Sequence, residues 1–405
     1  MPRFLSCFGA VALLFAAATF AAAQTPTGTG VPPAGGGGGG SGGSGPWTEV
    51  ALKMESSVEF KFRTPKDGRT GGGGTLRGNW TDVSSYTLPL TGAKGGPIKF
   101  DLRAPSIVLD LDGDGTFETT STGEVFTVVS KQGETTGKYT FRLRREYQKW
   151  FFQRACMATG DIDKTPVAFI DEDNNGRFND VGADVARVGN GAMASYLGKL
   201  LSVKGKLYEI DVDAAGTRLR YRPFDAPTGK LDLLSGYKGK ARPIMAVVQK
   251  TDGENILFDC AVKGGLVVPA GEYTLREGII GPTRDQFCLI ESGKMEKLVV
   301  KAGETTTLDW GMPGSLDFSV TKNGSIITID GGVTAYGRAG EKYDHFESSP
   351  FSVGCTVVEE KTGKQVWFGP IANAKGYHLV TTVPWIVRLQ CDSIPYLGTF
   401  QSAWQ

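Results

Sequence analysis

From Trp47 onward the chain alternates apolar and polar residues in short runs, most of them closed by Gly, Pro or another turn residue. SSVEFKFRT, GKYTFRLRR, KLYEIDVD, TRLRYRPF, SIITIDGGV and CTVVEEKTGKQVWFG all follow a two-residue period, the period that sends successive side chains to opposite faces of a strand. Fifty-seven glycines and twenty prolines punctuate these runs. A helix interior tolerates neither well, at about 1 kcal/mol for Gly and about 3 kcal/mol for Pro relative to Ala. The best helical candidate is the short stretch VGNGAMASYLGKLL at 188–201. The pattern predicts an all-β chain, and about 360 residues beyond the N-terminal leader are too many for one ordinary core, so it is also expected to be multi-domain.

The leader has two parts. MPRFLSCFGAVALLFAAATFAAAQTP places Arg3 before an apolar run that ends in Ala21, Ala22 and Ala23. This predicts a secretory signal peptide over 1–23, cut near Ala23. The run is shorter than the roughly 20 residues that span a bilayer, and Cys7 precedes the apolar core, so neither a membrane anchor nor a lipid-modified cysteine is expected. Residues 24–46 contain TPTGTGVPPAGGGGGGSGGSGP, a Gly/Ser/Pro-rich linker with nothing to bury. It reads equally as a spacer from a surface and as a tolerated leader. The expected location is outside the cytoplasm: extracellular, periplasmic or on the cell surface.

Arg3 leaves with the signal peptide, so 44 basic residues against 43 acidic become a formally neutral mature chain. Neutrality argues against a nucleic-acid partner. No later stretch is long and apolar enough to span a membrane. Cys156, Cys260, Cys288, Cys355 and Cys391 remain. In an oxidising compartment they are expected to pair. Cys260 with Cys288 and Cys355 with Cys391 are the nearest-neighbour pairs, Cys156 then being a buried thiol, although connectivity is not legible from sequence.

Three domains are expected: a β domain over 47–235, then two β-sandwiches over 236–310 and 311–405. In the middle segment VPAGEYTL, at 268–275, resembles the strand-turn-strand of transthyretin-like domains, modules found beside some carboxypeptidases and on bacterial surface proteins. In the last segment Cys355 and Cys391 are spaced as two strands of an immunoglobulin-like sandwich.

The chemistry of the chain concentrates in two carboxylate-rich stretches, VLDLDGDGTFE at 108–118 and FIDEDNNGRFND at 169–180. A hard divalent cation such as calcium takes six to eight oxygens from carboxylates, amides, carbonyls and water. A tight loop with acids at its first, third and fifth positions turns three side chains inward, and Gly at the sixth permits the bend. Asp110, Asp112, Asp114 and Gly115 fit those places, followed by the carbonyl of Thr116 and the side chain of Glu118. Asp171, Asp173, Asn175 and Gly176 fit them again, followed by the carbonyl of Arg177 and the side chain of Asn179. These stretches resemble the EF-hand calcium loop and, more closely, the strand-flanked DxDxDG loops of bacterial surface proteins and integrin-type repeats. The twelfth-position Glu of an EF-hand is replaced by Ser121 and Gly182, so Glu118 in the first loop and Asp180 or Asp184 in the second are the expected late ligands. The cofactor so implied is structural calcium. A solvated Asx-rich turn is the plainer alternative, but it does not account for acceptors on alternate positions. Clustered acids without a cation are expected to leave the first loop poorly ordered. A third stretch, YEIDVDAAGTRLRY, has Asp211 and Asp213 but Ala215 at the fifth place and reads as an ordinary hairpin.

Catalysis has little support. His345 and His378 lie far apart, and no GxSxG, HExxH or Walker-type loop occurs. FRLRREYQKWFFQR, at 141–154, mixes Arg and Lys with aromatics as an anionic glycan site would. Its alternation more simply sends Phe141 and Leu143 inward and the arginines outward. The expectation is an exported, non-catalytic, calcium-binding surface or extracellular protein whose further partner is a cell-surface polysaccharide or a protein. The rival is a secreted carbohydrate-active hydrolase with an unrecognised carboxylate pair.

Overall fold

A computed structural model describes residues 45–57, 60, 62–66, 79–146, 148–191, 193–252, 255–283, 286–330, 332–347, 353–371, 377–380, 385–391, 397–401 and 403–404. The expected signal peptide and nearly all of the expected linker lie outside the described residues. The described residues belong to one compact unit, Gly42–Gln405, and their regular elements are strands throughout. The helical candidate at 188–201 is a correction. It splits among the strands Val185–Val188, Ser195–Tyr196 and Leu200–Val203. Gly189 takes φ +66 to turn the chain. The amides of Ala194 and Leu197 then donate to the distant carbonyls of Arg63 and Asp184, both at 2.8 Å, where a helix would require the fourth residue back.

The first half is a succession of hairpins. Thr87–Thr91, Pro97–Arg103, Ser106–Leu109 and Thr119–Ser121 form one antiparallel meander. Thr81–Asp82, Lys149–Arg154, Thr135–Glu146 and Val125–Gln132 form a second four-stranded sheet. Ser195–Tyr196, Val185–Val188, Thr165–Ile170, Cys156–Ile162 and Lys53–Ser56 form a five-stranded one. Thr48–Ala51, Arg218–Pro223, Lys206–Val212 and Leu200–Val203 complete the set. Their inward faces share a core rich in aromatic rings. Phe100 meets Trp150 edge-on at 5.5 Å, Phe141 packs on Phe152 at 5.2 Å, and Tyr139 packs on Phe178 at 5.9 Å. As the alternation of the basic and aromatic stretch demanded, Phe141, Leu143, Trp150 and Phe152 are buried. Arg154 departs from that pattern, being buried in an ion pair with Glu172.

In the second half one eight-stranded sheet runs from Leu257–Asp259 through Pro243–Lys250, Gly271–Ile280, Phe287–Glu291, Lys342–Glu347 and Thr334–Tyr336 to Ser315–Asp317, with Leu298–Val300 added beside Gly271–Ile280. It takes strands from both sides of residue 310. Trp310 lies in its core, the indole N–H donating to the Leu233 carbonyl at 2.6 Å. Val353–Glu359, Gln365–Ile371, Trp385–Cys391 and Ala403–Trp404 form a further sheet. Among the described residues no helix is long and apolar enough to cross a membrane.

The expected disulfides are also corrected: Cys260, Cys288 and Cys355 are buried free thiols, as is Cys156, for which that was the expectation. Cys260 follows Leu257–Asp259, whereas Cys288 lies in Phe287–Glu291, and two strands intervene in the sheet. Three inter-strand steps of about 4.8 Å exceed the roughly 7 Å between Cα atoms that a disulfide spans. Cys355 aligns with Leu389, and Cys391 aligns with Val353 on the adjacent strand. That is a diagonal pair at roughly 7–8 Å within one sheet, where an immunoglobulin-type bridge would join two sheets. Burial pushes the thiols of Cys156 and Cys355 up to about 12 and about 11.

Candidate metal centres

Both acid-rich stretches are hairpin connections, and in each the strand ends set the geometry. The first joins Ser106–Leu109 to Thr119–Ser121, whose pairing closes at Leu109 opposite Thr119. Asp110, buried at the start of the bend, folds the loop around itself. One carboxylate oxygen accepts from the amides of Gly113 at 2.7 Å and Asp114 at 3.1 Å, and the other from Gly115 at 2.9 Å. Gly115 takes φ +92, the left-handed geometry the sixth position called for. Asp114 accepts the Thr116 amide at 2.8 Å, and Glu118 reaches back to accept the Leu111 amide at 2.8 Å. Carboxylate oxygens of Asp110, Asp112, Asp114 and Glu118 thereby all lie within 4.8 Å of one another.

A second hairpin presses on this loop. Gly92 and Gly96 sit so close to the backbone of Asp112 and Gly113 that a Cβ on Gly92 would fall 2.2 Å from the Asp112 carbonyl carbon. The Lys94 amide donates to the Asp112 carbonyl at 2.9 Å. Its ammonium stands 2.8 Å from both Asp112 Oδ2 and Asp114 Oδ2. That contact, with the Thr116 amide, holds the Asp114 carboxyl down to about 2. Part of the charge of the first loop is therefore already offset by Lys94, a partner the sequence reading did not include. Asp112 Oδ1 remains buried without a hydrogen-bond partner among the described residues.

The second stretch joins Thr165–Ile170 to Val185–Val188, paired to Ile170 opposite Val185. Asp171 repeats the role of Asp110, accepting from the amides of Asn175 at 3.1 Å and Gly176 at 2.7 Å. Here the site is deep: Asp171 and Asp184 are each 0% exposed. The hydroxyl of buried Tyr139 donates to Asp171 Oδ2 at 2.5 Å. Asp184 closes the loop by accepting the amides of Glu172 at 3.1 Å and Asp180 at 2.8 Å. Oxygens of Asp171, Asp173 and Asp184 converge within 4.8 Å. Asp173 Oδ1 is buried with no hydrogen-bond partner among the described residues. The loop is pinned from below by Phe178, buried against Tyr139. From the side, Arg276 donates to the Gly182 carbonyl at 2.7 Å and lies over the Tyr196 ring.

The electrostatics of the two loops differ. Three ionised carboxylates this close repel by roughly 3.5 kcal/mol per pair at an effective dielectric of about 20. In the second loop no Lys or Arg is among the ion pairs made by those three acids in the described residues. Burial pushes the Asp171 carboxyl up to about 7, against the pull of the Tyr139 hydroxyl and the Gly176 amide. Burial and then the charge of Asp171 raise Asp184 as well. A proton or a cation is what such a cluster takes up to remain folded.

The remaining expected site residues fall as follows. Asn175 joins the second loop as a donor, its Nδ2 lying 3.0 Å from Asp173 Oδ2 and 2.7 Å from Asp180 Oδ2. Arg177 donates its amide to Asn175 Oδ1 at 2.9 Å, and its guanidinium donates to Asn179 Oδ1 at 3.3 Å. Sequence reasoning missed Lys94, Tyr139 and Arg154, which contribute from other strands and turns. Arg154 pairs with Glu172, whose backbone carbonyl accepts the Asn79 side-chain amide. The third stretch is an ordinary hairpin, with Asp211 paired to Arg220 and Asp213 accepting the Thr217 amide at 2.7 Å. His345 and His378 belong to different sheets. Comparison with protein-family models, curated proteins and solved structures gives no match.

Proposed function

We propose that this chain is an exported, non-catalytic β protein of a cell surface or extracellular space, whose two acid-rich hairpin loops hold structural calcium. The observation that carries the reading is the convergence of oxygens of Asp171, Asp173 and Asp184 within 4.8 Å, two of these residues fully buried and the third with a buried oxygen that has no hydrogen-bond partner among the described residues. A hard cation offsets the repulsion, supplies the missing partner and ties Ile170 to Val185 across the hairpin. Asp110, Asp112, Asp114 and Glu118 repeat the chemistry at the surface. Binding to the folded state alone stabilises by RT ln(1 + [L]/Kd), so millimolar calcium outside a cell supports even weak sites. The rival hydrolase needs two carboxyls about 5 to 10 Å apart that are not engaged by a metal; three carboxylates gathered with oxygens within 4.8 Å favour an ion. The sheets are the surface that a polysaccharide or protein partner would meet. Calorimetric titration of the mature chain with calcium tests the proposal, heat release at the loops being expected and its absence overturning it. Screening for polysaccharide retention and hydrolysis then separates a binding protein from the hydrolase.

A further inference from the structure

The first loop differs from the second in one respect that bears on how it fills. Its acids already face a cation belonging to the chain. Lys94 is carried on the turn between Thr87–Thr91 and Pro97–Arg103, and the backbone of that turn is fastened to the loop by the Lys94 amide and by the close Gly92 and Gly96 contacts. The ammonium is thus delivered to Asp112 and Asp114 by a rigid neighbour, at 2.8 Å from each. Its side chain is 59% exposed, so it has open solvent to swing into. A divalent ion drawing on Asp112 and Asp114 needs the same two oxygens.

We infer that Lys94 is a tethered competitor for calcium at the first loop, which therefore fills only at concentrations well above those that fill the second. The inference rests on the calcium reading of both loops and adds their ranking. No covalent step is involved: one ammonium leaves two carboxylates and a hydrated divalent ion takes its place. The second loop, where the nearby guanidinium of Arg154 is held by Glu172 and that of Arg177 pairs with Asp180 instead of with Asp171, Asp173 or Asp184, is the permanently occupied site, and the first responds to the surrounding calcium level.

The test uses the full mature chain, wild type, Lys94→Met and Lys94→Arg, each titrated calorimetrically with calcium chloride at low ionic strength. Asp114→Asn assigns the first-loop binding class. The wild type is expected to show a tight class and a weaker one. Lys94→Met should tighten the weak class on the order of tenfold, as loss of two exposed ion pairs implies, and leave the tight class unchanged. Lys94→Arg, which keeps the charge, should stay weak and also reports whether the position tolerates substitution. A wild type that binds one calcium while Lys94→Met binds two supports the inference equally. Two classes in the wild type with the weak one unmoved in Lys94→Met overturn the inference and leave the calcium reading standing. No calcium bound by any of the proteins overturns both.

Discussion

Changing Asp173 to Asn should reverse the sign of its effect on stability when calcium is added. The substitution keeps the shape and removes one charge from the trio at the second loop, deleting its repulsion with Asp171 and with Asp184. Each pair, when both acids are ionised, is worth roughly 3.5 kcal/mol or more with oxygens within 4.8 Å and an effective dielectric of about 20. A proton kept by Asp184, whose carboxyl burial raises well above its ordinary value, relieves much of this at pH 8, so a gain of about 1–2 kcal/mol is expected in chelator. With calcium a hundredfold above Kd the wild type gains about 2.7 kcal/mol, which the variant forfeits. Some 360 residues at about 2.1 cal/mol/K each give an unfolding entropy near 0.76 kcal/mol/K, so 2.7 kcal/mol corresponds to about 3.5 °C. Scanning calorimetry at pH 8 should show Asp173→Asn melting about 1–3 °C above wild type in chelator and below it in calcium. A variant less stable than wild type in chelator, with an undiminished calcium shift, would refute the reasoning.

Further outcomes follow from the same geometry. In chelator, Asp171 with its folded pKa raised from 3.8 to about 7 gives stability that is fully present below about pH 4 and lost as pH rises to 7. The melting temperature should therefore fall across that window and stay level in saturating calcium; a rise in chelator would contradict the assignment. Tyr139→Phe removes the hydroxyl that donates to Asp171 and should cost about 1–3 kcal/mol in urea unfolding without calcium; an unchanged midpoint would show the contact is idle. Cys156, Cys260, Cys288 and Cys355 should resist a thiol reagent in the native protein and react in denaturant; fast native labelling of any of the four, located by peptide mapping, would count against their burial.

The parts of this molecule legible in its sequence are those specified by neighbours along the chain. Alternation placed Phe141 and Leu143 in the core because a strand's period is a local property. The acids of each loop were legible because first, third and fifth positions of one bend meet without help from elsewhere, and Asp184 was in reach because the same hairpin carries it. Lys94 was not legible, since it arrives on a neighbouring hairpin whose glycines give no sign in the sequence of what they press against. Tyr139 reads as one more inward residue of an alternating strand, and only the pairing of distant strands brings its hydroxyl to Asp171. The disulfides failed for the same reason. Spacing between cysteines says nothing about how many strands come between them, and Cys260 and Cys288 are parted by two.

The wide sheet of the second half carries a practical lesson for anyone shortening this polypeptide. Phe287–Glu291 is flanked by Gly271–Ile280 on one side and by Lys342–Glu347 on the other. A fragment stopped near residue 310 would strip away the later neighbour and bare a row of amides and carbonyls beside Phe287 and Ile290, a template for sticking to other molecules. Soluble pieces are better sought by trimming the leader than by cutting through the middle.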